Sequence, residues 1–229
     1  MSLNLVKRII TSIILFLLLL FINFSNKYIF VFSICLIGLI ICIEANRIFF
    51  KLLKIKSHEE SYTIKKFNFK FLILNLVTFF YIFFIFCYFS YQIYFIQTPI
   101  FFLYLISICI FTDIGGYVFG KIVGGKKLTR ISPNKTISGT IGSFIFSIIP
   151  LILFSKLNYL DLEFGVNNFV FCLAVSLISQ IGDLFISYLK RRANIKDTGK
   201  ILPGHGGILD RVDGIIFALP FSCLLLKFI

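Results

Sequence analysis

The sequence predicts an all-α fold: a polytopic transmembrane helical bundle of about seven spans with its N-terminus in the cytoplasm. Three observations lead there: the apolar content, the lengths of the apolar runs, and the placing of the cations. Hydrophobic residues make up 59% of the 229 positions and aromatic residues 18%, with a mean hydropathy of +0.98. A soluble domain holds roughly 45–50% apolar residues, so an integral membrane protein is expected. The formal net charge of +13 would suggest nucleic acid in a soluble protein. In so apolar a chain, cations retained beside the spans explain it, and nucleic acid is not an expected partner.

The first apolar run, Ile9 to Phe24, follows Lys7 and Arg8 as in a signal peptide, but no small-residue cleavage site comes after it. It therefore reads as an uncleaved span near 8–24. Further spans are expected near 28–46, 70–90, 99–119, 137–155, 168–189 and 212–229, because a bilayer crossing needs about 20 largely apolar residues. The last has an apolar core of only 16 residues from Gly214 onward, which puts Arg211 and Asp213 at its boundary. With seven spans and a cytoplasmic N-terminus, 20 of the 23 Lys and Arg residues fall on the cytoplasmic side, and Lys27, Lys156 and Lys227 on the other. The bias supports this orientation, in which every motif loop faces the cytoplasm.

No internal repeat or linker interrupts the chain. It reads as one integral membrane domain, 1–229, with N-terminal spans over 1–98 and catalytic helices and cytoplasmic motif loops over 99–229. The six cysteines, at 35, 42, 87, 109, 172 and 223, all lie in apolar runs without C-x-x-C spacing and are expected to pack as small hydrophobes. The composition is that of an AT-rich bacterial genome, so a bacterial inner membrane is the expected location.

Polar residues inside spans mark the chemistry. The fourth span ends T-D-I-G-G-Y-V-F-G-K-I-V-G-G-K-K, and an acid at the depth of Asp113 is either paired with a neighbouring helix or functional. Gly115, Gly116 and Gly120 allow a helix to approach closely there. Then comes L-T-R-I-S-P-N-K-T-I-S-G-T-I-G. Ser132-Pro133 breaks any helix, Lys135 and Thr136 offer a cation and a hydroxyl, and Ser138 and Gly139 open a span whose N-terminal amides suit an anion. On the sixth span Ser176, Gln180, Asp183, Ser187 and Lys190 recur at helical spacing and form one polar stripe, the expected wall of a polar cavity.

The stretch Gln180 to Gly214 gathers most of the remaining candidates: Asp183, the cations Lys190, Arg191, Arg192 and Lys196, the glycines Gly206 and Gly207 beside His205, and then Asp210, Arg211 and Asp213. Carboxylates suit a hard divalent ion, cations a polyanion, and glycines a close backbone approach. The Pro203-Gly204 turn lets the loop fold back, so that Asp183 and Asp210 can meet one ion. His205 has no Cys or second His nearby to build a zinc site and is expected to donate a hydrogen bond to phosphate. His58 reads as ordinary surface.

The string S-Y-L-K-R-R-A-N-I-K-D-T-G-K-I-L-P-G-H-G-G-I-L-D-R-V-D, from Ser187 to Asp213, closely resembles the signature of the phosphatidate cytidylyltransferases, or CDP-diacylglycerol synthases. A second resemblance runs from Asp113 to Gly142 and includes an S-P-x-K-T-x-x-G element; the first hundred residues are similar only as hydrophobic spans. The resemblance implies a nucleotidyltransferase that converts CTP and phosphatidate to CDP-diacylglycerol and pyrophosphate on the cytoplasmic face of the bilayer. It implies Mg²⁺, alone or with a second ion, on Asp183, Asp210 and Asp213. It further implies catalytic roles for Lys190, Arg191, His205 and Arg211, and substrate contacts from Asp113, Ser132, Lys135, Thr136, Gly139, Ser187, Lys196, Gly206 and Gly207. The family commonly has an acid where this chain has Ser138, so no metal or base role passes to that position. The K-R…H-G-G…D-R-x-D signature argues against a CTP-dependent polyprenol kinase, and the absence of paired mid-membrane helix breaks argues against a transporter. A homodimer is compatible with the sequence.

Overall fold

The computed structural model describes residues 3–59, 64–129, 132, 135–156 and 165–227, with side chains from residue 9 onward except 56–68. His58 and Pro133 therefore lie outside what is described. Among the described residues every regular element is helical, and extended pairing is confined to the isolated bridges Lys127↔Thr136 and Leu202↔Gly206. The order is α1 Leu3–Phe24, α2 Lys27–Glu59, α3 Ile64–Phe80, a π-helical stretch Tyr81–Cys87, α4 Tyr88–Gln92 and a second π-helical stretch Ile93–Gln97. Then follow α5 Pro99–Ile122, α6 Ile137–Phe146, α7 Ile149–Lys156, α8 Val166–Arg192, α9 Leu209–Val212 and α10 Ile215–Leu225.

Among the described residues five helical segments are long and apolar enough to cross a membrane: Lys27–Ile55, Phe69–Gln97, Pro99–Ile122, Ile137–Lys156 and Val166–Arg192. The chain is thus an integral membrane protein of all-α class, and these segments correspond to five of the seven expected spans. The expected first span, near 8–24, falls within α1 Leu3–Phe24, whose side chains are described from Ile9 onward. The expected last one is α10, whose 11 residues with Pro220 inside reach only about 17 Å at 1.5 Å per residue, against a hydrocarbon core of about 30 Å.

The chain forms two compact units, Met1–Tyr88 with Leu189–Val212 and Phe89–Tyr188 with Asp213–Ile229. In the first, α2 packs on α3, on the Tyr81–Cys87 stretch and on α9. Its 33 residues run about 50 Å. They outlast the expected 28–46 span because Ile48, Phe49 and Leu53 remain buried on one face, and the apolar stripe continues past the first charged residues.

In the second unit α5 and α6 form the most extensive helix pair. Thr98 caps α5 by accepting from the Phe101 amide at 3.0 Å, with Pro99 in the first turn, where its missing N–H costs nothing. The expected close approach at the α5 glycines is present. A Cβ on Gly115 would run into the Gly142 backbone and lie 2.6 Å from Phe146 Cβ, and one on Gly116 would meet Ser143 Oγ at 2.7 Å. Elsewhere a Cβ on Gly182 would lie 2.5 Å from Phe217 of α10. Tyr104, Leu105, Ile108, Leu151, Val175 and Leu219 form the buried core, and the cysteines are free thiols.

This packing predicts that Gly115→Leu lowers stability by about 1–3 kcal/mol through overpacking, seen as a lower unfolding midpoint of the detergent-solubilised protein. Gly165→Ala, where no described residue lies within 4 Å of the added methyl, should leave the midpoint in place. Equal midpoints for the two variants would contradict the close α5–α6 contact.

Candidate active site

The site residues of the first unit sit where α8 stops. Asn194 has φ +53°. Its amide donates to Arg191 O at 3.1 Å and the Ile195 amide to Lys190 O at 3.0 Å, the paired bonds of a Schellman cap with Asn at the left-handed position. The chain then turns back through Thr198. Leu202-Pro203-Gly204-His205 makes a tight turn with the His205 amide donating to Leu202 O at 3.0 Å and Gly204 at φ +78°, where proline followed by glycine is the fitting pair for a type II turn.

Two carboxylates hold this loop. Asp210 Oδ1 accepts from Lys190 Nζ at 2.8 Å, and both groups are nearly buried, with side chains 6% and 11% exposed. Asp210 Oδ2 accepts from the Thr198 amide at 2.8 Å, the Gly207 amide at 2.9 Å and the Thr198 hydroxyl at 3.0 Å. Burial alone would raise the Asp210 pKa; the Lys190 hydrogen bond, the two amides and the Lys190 charge outweigh it and hold the carboxyl below its ordinary range.

The second carboxylate is Glu44 of α2, fully buried. It accepts from Thr198 Oγ1 at 2.7 Å, the Leu209 amide at 2.9 Å and the Ile208 amide at 3.2 Å. Thr198 therefore stands between two carboxylates with one hydroxyl proton to share. A Cβ on Gly199 would lie 2.5 Å from Glu44 Oε1, and one on Gly207 would collide with both Glu44 and Thr198, so these glycines are required by the close approach. Around the loop, His205 Nδ1 pairs with Thr11 Oγ1 at 2.5 Å and its Nε2 lies 3.4 Å from Ser12 Oγ. Arg211 donates to His205 O at 3.1 Å and Arg191 to Ile195 O at 3.3 Å. Lys196, Gly206, His205 and Arg211 line a recess of about 660 Å³.

The second unit holds a separate polar cavity of about 300 Å³, lined by Asp113, Ser132, Lys135, Thr136, Gln180 and Asp183 among others. Lys135 and Asp183 form an ion pair, and Ser187 donates to Asp183 Oδ1 at 3.3 Å. Thr136 caps α6 by accepting from the Gly139 amide at 3.1 Å, so one of the amides expected to face an anion already has an acceptor. Ser138 donates to Gly124 O and serves to close the loop. Gln180 and Asp183 of the α8 stripe do line a cavity, while Ser176 is buried under the Thr112 hydroxyl at 2.9 Å. Asp213 accepts from the next amide, Gly214, at 3.0 Å.

Within each unit, then, the structure gathers the predicted residues into two groups. Asp113, Ser132, Lys135, Thr136, Gly139, Asp183 and Ser187 lie at or beside one cavity; Lys190, Lys196, His205, Gly206, Gly207, Asp210 and Arg211 share the loop. Glu44 is the residue that sequence reading missed. An acid at the end of an apolar run, I-C-I-E-A-N-R, was the available signal, because a lone carboxylate at such depth needs a partner.

The cytidylyltransferase family matches the chain over residues 48–229. The phosphatidate cytidylyltransferase of Staphylococcus haemolyticus is 45% identical over 129 residues, covering 54% of this chain and 48% of that protein. The Staphylococcus aureus protein of the same name is 47% identical over the same shares, and that of Bacillus subtilis 42% identical over 116 residues, 50% of this chain and 43% of its own. The chain spans about half the length of the curated relatives it matches.

The depressed Asp210 pKa has a definite sign. Stabilisation by this carboxylate is complete above the ordinary carboxylate pKa and is lost as pH falls through the lowered native value. Asp210→Asn should cost about 3–5 kcal/mol at neutral pH by leaving Lys190 unpaired. It should also remove the part of the acid-induced fall in unfolding midpoint that belongs to this group. A pH series in which the variant and the natural protein lose stability in parallel below the carboxylate range would contradict that role.

Proposed function

Because the chain belongs to the cytidylyltransferase family, we propose that it transfers a cytidylyl group from CTP to phosphatidate, giving CDP-diacylglycerol and pyrophosphate at the cytoplasmic face of a bacterial membrane. The observation that carries this reading is the cavity of the second unit, where Lys135 and the acids Asp113 and Asp183 meet on elements within the matched region. Three curated relatives bear the corresponding name. The cytoplasmic orientation is supported by the distribution of cations along the chain.

In the proposed reaction a phosphate oxygen of phosphatidate attacks the α-phosphorus of CTP, the new P–O bond forms, and the α–β anhydride bond breaks to release pyrophosphate. The nucleophile is already anionic, so no protein base is obligatory, and catalysis rests on positioning and charge neutralisation. Lys135 supplies a cation to the phosphates, Ser132 and Thr136 supply hydroxyls beside it, and Asp113, Gln180 and Asp183 supply oxygen donors. That hard, oxygen-only set fits Mg²⁺, which keeps several waters and shares its remaining positions with substrate phosphate. Asp113 and Asp183, the two carboxylates that line this cavity, are the residues proposed to hold the ion. When bound, Mg²⁺ supplies charge neutralisation on the CTP phosphates. Asp210 has both oxygens committed to Lys190, Thr198 and Gly207, and its proposed part is to shape the loop.

The reaction is tested with CTP labelled at the α or the γ position, given with phosphatidate and Mg²⁺ to purified protein. Cytidylyl transfer carries α label into the lipid phase and leaves γ label in water-soluble pyrophosphate. Lipid carrying γ label alone would mean a kinase, and unlabelled lipid from folded protein would end the enzyme reading. Asp183→Asn should lower turnover by about 10²-fold or more while the protein still inserts into membrane. Turnover near that of the unaltered protein would remove Asp183 from the reaction.

A further inference from the structure

A cavity of about 810 Å³ in the first unit has no role in the account so far. One wall is a single face of α2, where Ile43, Asn46, Arg47, Phe50 and Lys51 recur at three- and four-residue spacing. The other is segment 195–200, which follows the α8 cap. Arg47 and Lys51 meet Lys196 and Lys200 across it, and Asp197 is its one lining carboxylate. Among the described residues none of these four cations forms an ion pair with a carboxylate. Like charges repel, so a loop does not bring two lysines opposite an arginine and a lysine unless something holds it there. Glu44, on the buried side of α2, does so by accepting from Thr198, Ile208 and Leu209. The cationic cleft is therefore built by contacts between residues more than 150 positions apart, which cations merely retained beside a span would not require.

Apolar surface lies beside that charge. Ile43 and Phe50 are 54% and 48% exposed, and both belong to Lys27–Ile55, a segment apolar enough to cross a membrane. A soluble anion has no use for such a wall, whereas a lipid whose phosphate sits at the hydrocarbon boundary uses both halves of the cleft. Basic pockets beside membrane-spanning helices bind anionic headgroups in this way, each Lys or Arg adding to the attraction. We propose that the cleft holds an anionic phospholipid of the surrounding bilayer, gripped by its phosphodiester and a hydroxyl-bearing headgroup, as a resident lipid and not as a reactant. Asp197 decides the headgroup: a carboxylate among the cations disfavours a second negative charge, as on a phosphomonoester, and accepts from a hydroxyl. Asn46 adds an amide on the facing wall. The site lies wholly within the first unit, takes part in no bond-making step, and stands whether or not the chain turns over CTP.

The test uses full-length protein in detergent with radiolabelled phosphatidylglycerol as the probe. The competitors are phosphatidylcholine, phosphatidate, deacylated glycerophosphoglycerol, inorganic phosphate and CTP. Phosphatidate should compete no better than unlabelled phosphatidylglycerol, and the other four should leave the probe bound at equal concentration. Phosphatidylglycerol should also raise the unfolding midpoint where phosphatidylcholine does not. The pairs R47Q/K51Q and K196Q/K200Q should each weaken retention about tenfold or more and abolish the rise in midpoint, R47K/K51R should keep both, and Lys156→Gln should change neither. Raised salt should release phosphatidylglycerol from the unaltered protein, a readout that needs no variant. Retention that ignores salt, or that survives in both pairs, overturns the proposal. Displacement by phosphatidylcholine would make the cleft an unspecific lipid anchor, by glycerophosphoglycerol or inorganic phosphate a soluble-anion site, and by CTP a nucleotide site. A tenfold preference for phosphatidate would make it a phosphomonoester site, and each of these results also overturns the proposal.

Discussion

The contact on which the first unit's functional loop depends is the buried pair of carboxylates on either side of Thr198. The segment from Thr198 to Asp210 is rich in glycine and short of apolar residues, and cannot hold its shape by burying surface. It is held by donors aimed at Glu44 and Asp210: four main-chain amides, one hydroxyl and one lysine. A carboxylate out of water is costly unless its lone pairs are occupied. Here they are occupied by the loop itself, so the cost of burying the acids and the ordering of the loop are one transaction. Loosening either acid releases the backbone that carries His205 and Arg211.

This arrangement explains why some of the site was legible in the sequence and some was not. A helix opening near Ser138, glycines facing a neighbouring helix, and Gln180 and Asp183 on one face of α8 are local patterns whose physics lies within a few residues, and these are found in place. Glu44 acts on residues more than 150 positions away; its place at the end of an apolar run says that it needs a partner, and nothing beside it says which. The same blindness to distance hid the pairing of segment 189–212 with the first 88 residues. The extent of α2 was missed for another reason: hydropathy marks where a helix is apolar, whereas α2 continues because its buried face does. The ring nitrogens of His205 face the Thr11 and Ser12 hydroxyls of α1, contacts that span more than 190 positions and have no local signature.

The second unit shows the complementary device. Lys135 and Asp183 are roughly a quarter to a third exposed, so their attraction is screened and worth little to stability. Each is therefore available for exchange. On the proposed reaction a triphosphate gives Lys135 a more highly charged partner than one carboxylate, and the oxygens of Asp183 are then better matched by a divalent ion than by a departing ammonium. On that proposal the pair would neutralise the empty cavity, and Lys135 would face phosphate and Asp183 would supply an oxygen donor once substrate is bound. The Lys190–Asp210 pair, buried and tied to two amides, has no such freedom. The chain uses the same two residue types twice, and burial separates the pair that fastens a loop from the pair proposed to receive substrate.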